Sequence, residues 1–194
     1  MNLKEKVYSV LIVSATESYN TELSALLSKR KYAPIQIVSN ISAAKRMLAE
    51  RSYDFVFINS PLPDNGGMRF AIDASNNKET VVLFMVRAEL YDEIYDKIAQ
   101  HGVFVLSMPT SKAIINTALS WLLSARERIR AQESKTHSLE EKMAEIKIVN
   151  RAKLLLISEM HMDESQAHRY IEKQAMDRCV TRKVVAEEII KTYS

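Results

Sequence analysis

The hydrophobic positions of this chain change their period along its length. In the N-terminal part, short apolar runs alternate with amphipathic segments of helical spacing. Val7 to Val13 is followed by a helical pattern from about Tyr19 to Lys31, Ile35 to Val38 by Ser42 to Glu50, and Phe55 to Ile58 by a stretch around Met68 to Ala74. Val81 to Val86 then precedes a helical segment near Tyr91 to Gln100, and Val103 to Leu106 leads into a helical stretch starting near Ser111. Turn residues punctuate the pattern: Pro61, Pro63, Gly66 and Gly67 follow one apolar run, and Gly102 and Pro109 bracket another. Five β-rich runs alternating with five helical ones predict an open parallel sheet with helices on both faces. The commonest small α/β fold of that pattern is flavodoxin-like, and its functional sites lie at the carboxyl ends of the strands.

From Ser111 to about Met160 no Gly or Pro occurs, and Ala, Leu, Glu, Lys and Arg are frequent, which predicts one helix or two end to end. A heptad places Leu122, Ile129, Thr136, Met143 and Asn150 at one core position and Ala125, Gln132, Leu139 and Ile146 at the other, a seam with polar interruptions. A helix of about fifty residues extends on the order of 75 Å, more than the N-terminal domain can cover. A homodimeric coiled coil, with Leu122, Ile129, Leu139, Met143 and Ile146 as its apolar seam, is therefore preferred over a helix lying along its own domains. Two shorter helices follow. The first runs from Glu164 to about Met176, with Asp163 and Gln166 spaced for a capping box, and the second from about Arg182 to Lys191, with Thr181 placed to cap it. Together with the end of the long helix they predict a small three-helix bundle.

Composition narrows the function classes. At 194 residues, 47% hydrophobic and 26% charged, the chain has the profile of a globular protein with two domains. No apolar run reaches the length of a membrane span and the first residues lack a signal-peptide core, so a cytoplasmic location is expected. The single cysteine, Cys179, is expected to be a small buried residue between two helices, and no Cys/His spacing suits a metal. His101, His137, His161 and His168 sit in no nucleophile motif, and there is no Gly-rich phosphate loop or HExxH; no enzyme, metal or cofactor is expected. The net charge of +3 is small, and from Lys142 onward ten Lys and Arg face eight Asp and Glu. Charge alone therefore does not point to nucleic acid.

Two resemblances add to this reading. Ala152-Lys153 in the long helix, Glu164, Ala167, Tyr170 and Ile171 in the next, Ala175-Met176-Asp177-Arg178, and Val185-Ala186 with Ile189-Ile190 in the last resemble the ANTAR domain, the RNA-binding output module of many bacterial transcription antiterminators. The pattern departs at Leu154, where a Gly usually follows the Ala-Lys pair and permits close backbone approach. The first 120 residues resemble a response-regulator receiver through their element order, Asn59-Ser60-Pro61-Leu62-Pro63 with Gly66-Gly67, Met85-Val86-Arg87-Ala88, and Gly102 leading to Met108-Pro109.

In a receiver, an Asp after the third strand takes the phosphoryl group, an acidic pair after the first strand holds Mg²⁺, and a hydroxyl residue and a Lys read the phosphate. Here Asn59, Ser14 with Ala15, Arg87 and Met108 stand at those places. An amide is a poor nucleophile, and the first-strand pair has lost the carboxylates that anchor the cation. The resemblance therefore implies a pseudo-receiver over 1–120, a coiled-coil linker over 121–144 and an ANTAR-like domain over 145–194. Arg87 is either an exposed cation or a guanidinium filling the vacated acidic pocket.

The ANTAR resemblance implies binding of paired hairpin loops in a nascent leader RNA; the heptad seam adds a dimer, and the missing phosphoacceptor residues add independence from Asp phosphorylation. Lys147, Arg151, Lys153, Arg178, Arg182 and Lys183 are the candidate RNA contacts. Lys147 and Arg151 share a helix face, with Lys153 well round from them. Tyr170 is a candidate stacking residue whose spacing favours the core. Regulation then falls to a partner protein, a ligand or dimer concentration. The alternative is a protein-interaction module that binds no RNA.

Overall fold

The computed structural model describes residues 6–64, 67–77 and 79–193. Gly66 of the expected Pro/Gly loop lies outside the described residues. The chain forms two units, one ending at Ala131 and the other beginning at Gln132. Among the described residues no helix is long and apolar enough to cross a membrane.

In the first unit the elements are β1 (Tyr8–Val13), α1 (Glu17–Leu26), β2 (Tyr32–Val38), α2 (Ile41–Glu50), β3 (Phe55–Asn59), α3 (Gly67–Ser75), β4 (Val81–Arg87), α4 (Tyr91–Ile98), β5 (Phe104–Met108) and the start of α5 (Lys112–Met160). The five strands pair in parallel in the order β2-β1-β3-β4-β5. All of β1, and β3 and β4 but for their last residues, are buried, as continuous apolar runs require when helices cover both faces of a sheet. Alternate residues feed two cores. Leu11, Val13, Val56, Ile58, Val82 and Phe84 meet the buried residues of α2 and α3 on one side. Val10, Ile12, Phe55, Phe57, Leu83 and Met85 meet Leu23, Ile115, Leu119 and Leu122, from α1 and α5, on the other.

Two boundaries differ from the sequence expectation. Helix α1 stops at Leu26 instead of Lys31, because Tyr32 is drawn into β2 opposite Tyr8 and buried there. Strand β2 consequently begins before Pro34; it is an edge strand, the one place where a residue without an N–H fits, and its register shifts between Tyr8 and Val10. Asn40 caps α2 by accepting from the Ala43 N–H at 2.8 Å. Asp64, from the loop after β3, accepts from the Ile41 and Ser42 N–H groups at 2.8 and 3.2 Å, a carboxylate against a helix N-terminus. Gly102 turns the chain after α4 with a φ of +77°, open to glycine at no steric cost.

The end of the sheet opposite the strands' carboxyl ends is tied to α5 by polar contacts. Asp54 accepts from the Ser9 N–H and Oγ at 2.8 and 2.9 Å, and Arg126 Nε donates to its other oxygen at 2.9 Å. Tyr8 donates its hydroxyl to Glu127, which also pairs with Lys6. Burial, then the Glu127 hydrogen bond, pushes the Tyr8 phenol up to about 12.

In the second unit, α5 runs to Met160 and is followed by α6 (Glu164–Asp177) and α7 (Arg182–Tyr193). Ala152 and Leu156 of α5, Ala167, Ile171 and Ala175 of α6, and Val185, Ala186 and Ile189 of α7 form its core at the spacing of three apolar stripes. The capping box forms as the sequence predicts: Gln166 N–H donates to Asp163 at 2.8 Å and Asp163 N–H donates to the Gln166 side chain at 3.0 Å. The Val184 N–H reaches the Thr181 hydroxyl at 3.4 Å. Cys179 is a correction: it is exposed in the turn after α6, with a φ of 52°, because the chain must reverse there before α7. Leu154 is exposed, so a side chain in place of the usual Gly displaces no neighbouring helix.

Candidate functional site

At the carboxyl ends of the strands, two of the residues expected at the place of a receiver's phosphoacceptor site, Ser14 and Asn59, touch each other. Ser14 is buried directly after β1. Its Oγ accepts from the Asn59 side-chain amide and from the Thr16 N–H, each at 3.2 Å. Ala15 is exposed and offers no polar side chain, while Met108, at the end of β5, packs against the apolar cluster on the α1 and α5 side. The polar groups at the ends of β1 and β3 thus satisfy each other. Arg87 is exposed at the end of β4, beside a shallow depression of about 200 Å³ lined by Ser60, Pro61, Val86 and Leu90. It makes no hydrogen bond or ion pair among the described residues. The reading of Arg87 as a plug for an empty acidic pocket is therefore corrected: a seryl–asparaginyl hydrogen bond occupies the place where it was to sit.

The cations of the second unit divide by what they touch. Lys147 and Arg151, four residues apart on α5, are exposed and form no ion pair among the described residues. Lys153 is only 16% exposed and lies 3.2 Å from Glu164. Arg178 grips Glu188 with two hydrogen bonds of 2.6 and 2.7 Å, which hold the Glu188 carboxyl below its usual range. Arg182 stands 3.6 Å from Glu172 and 3.9 Å from Glu145, and Lys183 stands 3.8 Å from Glu187. The sequence reading missed Arg169 and Lys173, exposed on α6 and likewise unpaired among the described residues. Their spacing of four was the available signal, the same one that joins Lys147 to Arg151. Tyr170, expected to favour the core, is exposed beside them, because the narrow α6 stripe is filled by Ala167, Ile171 and Ala175.

On α5 the apolar seam also divides. Leu122 is 1% exposed in the sheet-side core of the first unit, so the sheet covers it and it leaves the expected seam. Ile129 is half-buried against the same cluster. Leu139, Met143 and Ile146 are 61%, 60% and 58% exposed. Beside Ile146, a groove of about 420 Å³ runs between α5 and the flanks of α6 and α7, reaching His168 and Arg182.

Comparison with known proteins agrees with both halves of this description. Residues 137–190 match the ANTAR domain. The chain is 24% identical over 183 residues, covering 94% of it and 89% of the relative, to the transcriptional regulatory protein PdtaR of Mycobacterium tuberculosis H37Rv. Its fold is similar to the signal receiver domain of an HD domain-containing protein from Pseudomonas fluorescens Pf-5, with a TM-score of 0.58 at 20% identity, over 68% of this chain and 96% of that one. A two-component response regulator from Clostridium difficile aligns with a TM-score of 0.53 at 18% identity, over 60% of this chain and 96% of that one. The chain thus joins a receiver fold to an ANTAR domain.

Proposed function

We propose that this protein is an RNA-binding antitermination regulator of the response-regulator type, acting as a dimer and without aspartate phosphorylation. The observation that carries the reading is the ANTAR match over 137–190 on a bundle whose first helix leaves Lys147 and Arg151 exposed and unpaired. Cations held by carboxylates of the same domain must break those pairs to meet a phosphate, whereas these two need not. Among the six candidate RNA contacts, Lys147 and Arg151 therefore take the leading role. Lys153, Arg182 and Lys183 follow, and Arg178, held twice by Glu188, comes last.

The mechanism is equilibrium binding with no bond chemistry. A protein that binds paired hairpin loops of one leader fold more tightly than its competitor shifts the population toward the antiterminator. Dimerisation fits the exposed Leu139 and Met143, whose spacing of four is that of successive heptad core positions in a linker assigned to 121–144 with the bundle from 145 onward. Phosphorylation independence rests on Asn59 hydrogen-bonded to Ser14 where an Asp and an acidic pair would be needed.

An electrophoretic shift of the full chain against a two-hairpin leader RNA and a loop-scrambled control, in moderate salt and without phosphodonor, tests the reading. Binding to the first alone, weakening steeply with salt, is expected. Equal weak binding to both, with robust capture of a partner protein, would instead favour the interaction-module reading.

A further inference from the structure

The groove of the C-terminal unit combines features that the surface cations do not use. We infer that it is a binding site for one mononucleotide unit, a nucleobase with its phosphate. The inference deepens the RNA-binding reading where that unit belongs to an RNA loop and stands apart from it where the unit is a free nucleotide.

The cavity, about 420 Å³, lies in the range of small-ligand sites, roughly 300–1,000 Å³. Its wall carries the apolar side chains of Ile146 and Val149, a surface for the face of a base. Asn150, one helical turn from Ile146, brings an amide that makes no hydrogen bond among the described residues. An amide offers a donor and an acceptor side by side, which a base edge can match with two hydrogen bonds, whereas a phosphate, all acceptor, engages only the donor. His168 lines the same cavity and meets Glu172 only through Nε2 at 3.2 Å, a contact that leaves both ring faces uncommitted.

Lys142, Lys153 and Arg182 bring positive charge to the lining. Arg182 is within 4 Å of two carboxylates but at 3.6 and 3.9 Å it hydrogen-bonds neither, so its fork of donors is not committed to them. Lys153 makes one contact, to Glu164, and an ammonium has three donors. Glu145 is the one carboxylate of the lining against these three cations, a net positive charge that suits a phosphate.

Two sources present this chemistry: a nucleotide turned out of an RNA loop, and a free nucleotide acting as an effector. Two measurements on the full-length protein separate them. In the first, the four ribonucleoside 5′-monophosphates are titrated into isotope-labelled protein and amide shifts are followed. In the second, RNA hairpins with 2-aminopurine at each loop position in turn are bound and their fluorescence is read. Each is repeated with Val149→Trp, which fills the groove, and with Asn150→Ala, an exposed change that leaves the core intact.

Shifts confined to Val149, Asn150, Lys153 and His168, with base preference weakened about tenfold by Asn150→Ala, establish the site for free nucleotide. A fluorescence change at one loop position, abolished by Val149→Trp at unchanged helicity and weakened by Asn150→Ala, establishes it for an RNA loop. If hairpins bind in a salt-dependent way but neither signal appears, the groove is overturned while RNA binding stands. If monophosphates bind and hairpins do not, the groove stands and the RNA reading falls. Silence in every arm removes both.

Discussion

The carboxyl-terminal end of the receiver sheet and the outer surface of the ANTAR bundle handle polar groups in opposite ways. At the sheet, Ser14 and Asn59 are turned toward each other and close a small hydrogen-bonded pair in the place of a reactive acid cluster. On the bundle, Lys147, Arg151, Arg169 and Lys173 stay exposed and are unpaired among the described residues. The difference teaches that a fold and its site are held by different residues. The sheet does not depend on its strand ends, because its apolar strands carry the core. The bundle can afford free cations because its helices meet through alanines and short branched side chains that need no charge.

The experiment that breaks this separation most forcefully is Leu156→Ala, which deletes a fully buried side chain from the bundle core. It should cost about 2–5 kcal/mol, read as a lower unfolding midpoint, and RNA affinity should fall with the folded fraction alone at temperatures near that midpoint. A loss of affinity far below the midpoint would mean that core and surface are not separable here.

Lys147→Ala combined with Arg151→Ala comes next. It should lower hairpin affinity by about tenfold or more in moderate salt and flatten the salt dependence by about two units of slope, with unchanged helicity. Arg178→Ala should change affinity less than about threefold, since Glu188 already claims that guanidinium. A reversed order of the two effects would place the RNA on the α6–α7 side.

A smaller effect tests the other end of the sheet. The Tyr8 phenol is raised to about 12 in the folded protein from an ordinary value of 10.0. Above pH 10 the unfolded chain loses this proton before the folded one does. The stability that the protonated phenol contributes is whole below pH 10 and drains away as pH rises toward 12. Urea midpoints measured across that interval should fall less steeply in Tyr8→Phe than in the parent protein.

The smallest expected change is none. Asn59→Asp, treated with acetyl phosphate and Mg²⁺, should take up no label, because Ser14 and Ala15 still offer no carboxylate to the metal. Labelling of the variant would show that the pocket retains more of its phosphoryl chemistry than its residues suggest.

Much of this molecule was legible without coordinates. Five apolar runs alternating with amphipathic segments point to a parallel sheet, whose three inner strands are buried by helices on both faces, and the Asp163–Gln166 spacing sets where α6 starts. That Asn59, Ser14, Ala15 and Met108 stand where a receiver carries its acid cluster and its Lys is what the resemblance implies, and reading it needed no coordinates.

Tertiary structure decided which surfaces remain free. A heptad cannot tell Leu122, taken by the sheet, from Met143, which no neighbour covers, because periodicity records a helix face and not its occupant. Nor can a list of cations tell Arg178 from Arg151: whether a carboxylate stands within reach depends on which helices pack together. Tyr170 and Cys179 moved outward for the same reason, the first because alanines filled its stripe and the second because a reversal of the chain needed its backbone. Local sequence specifies what each segment can bury; only packing assigns the partner that buries it.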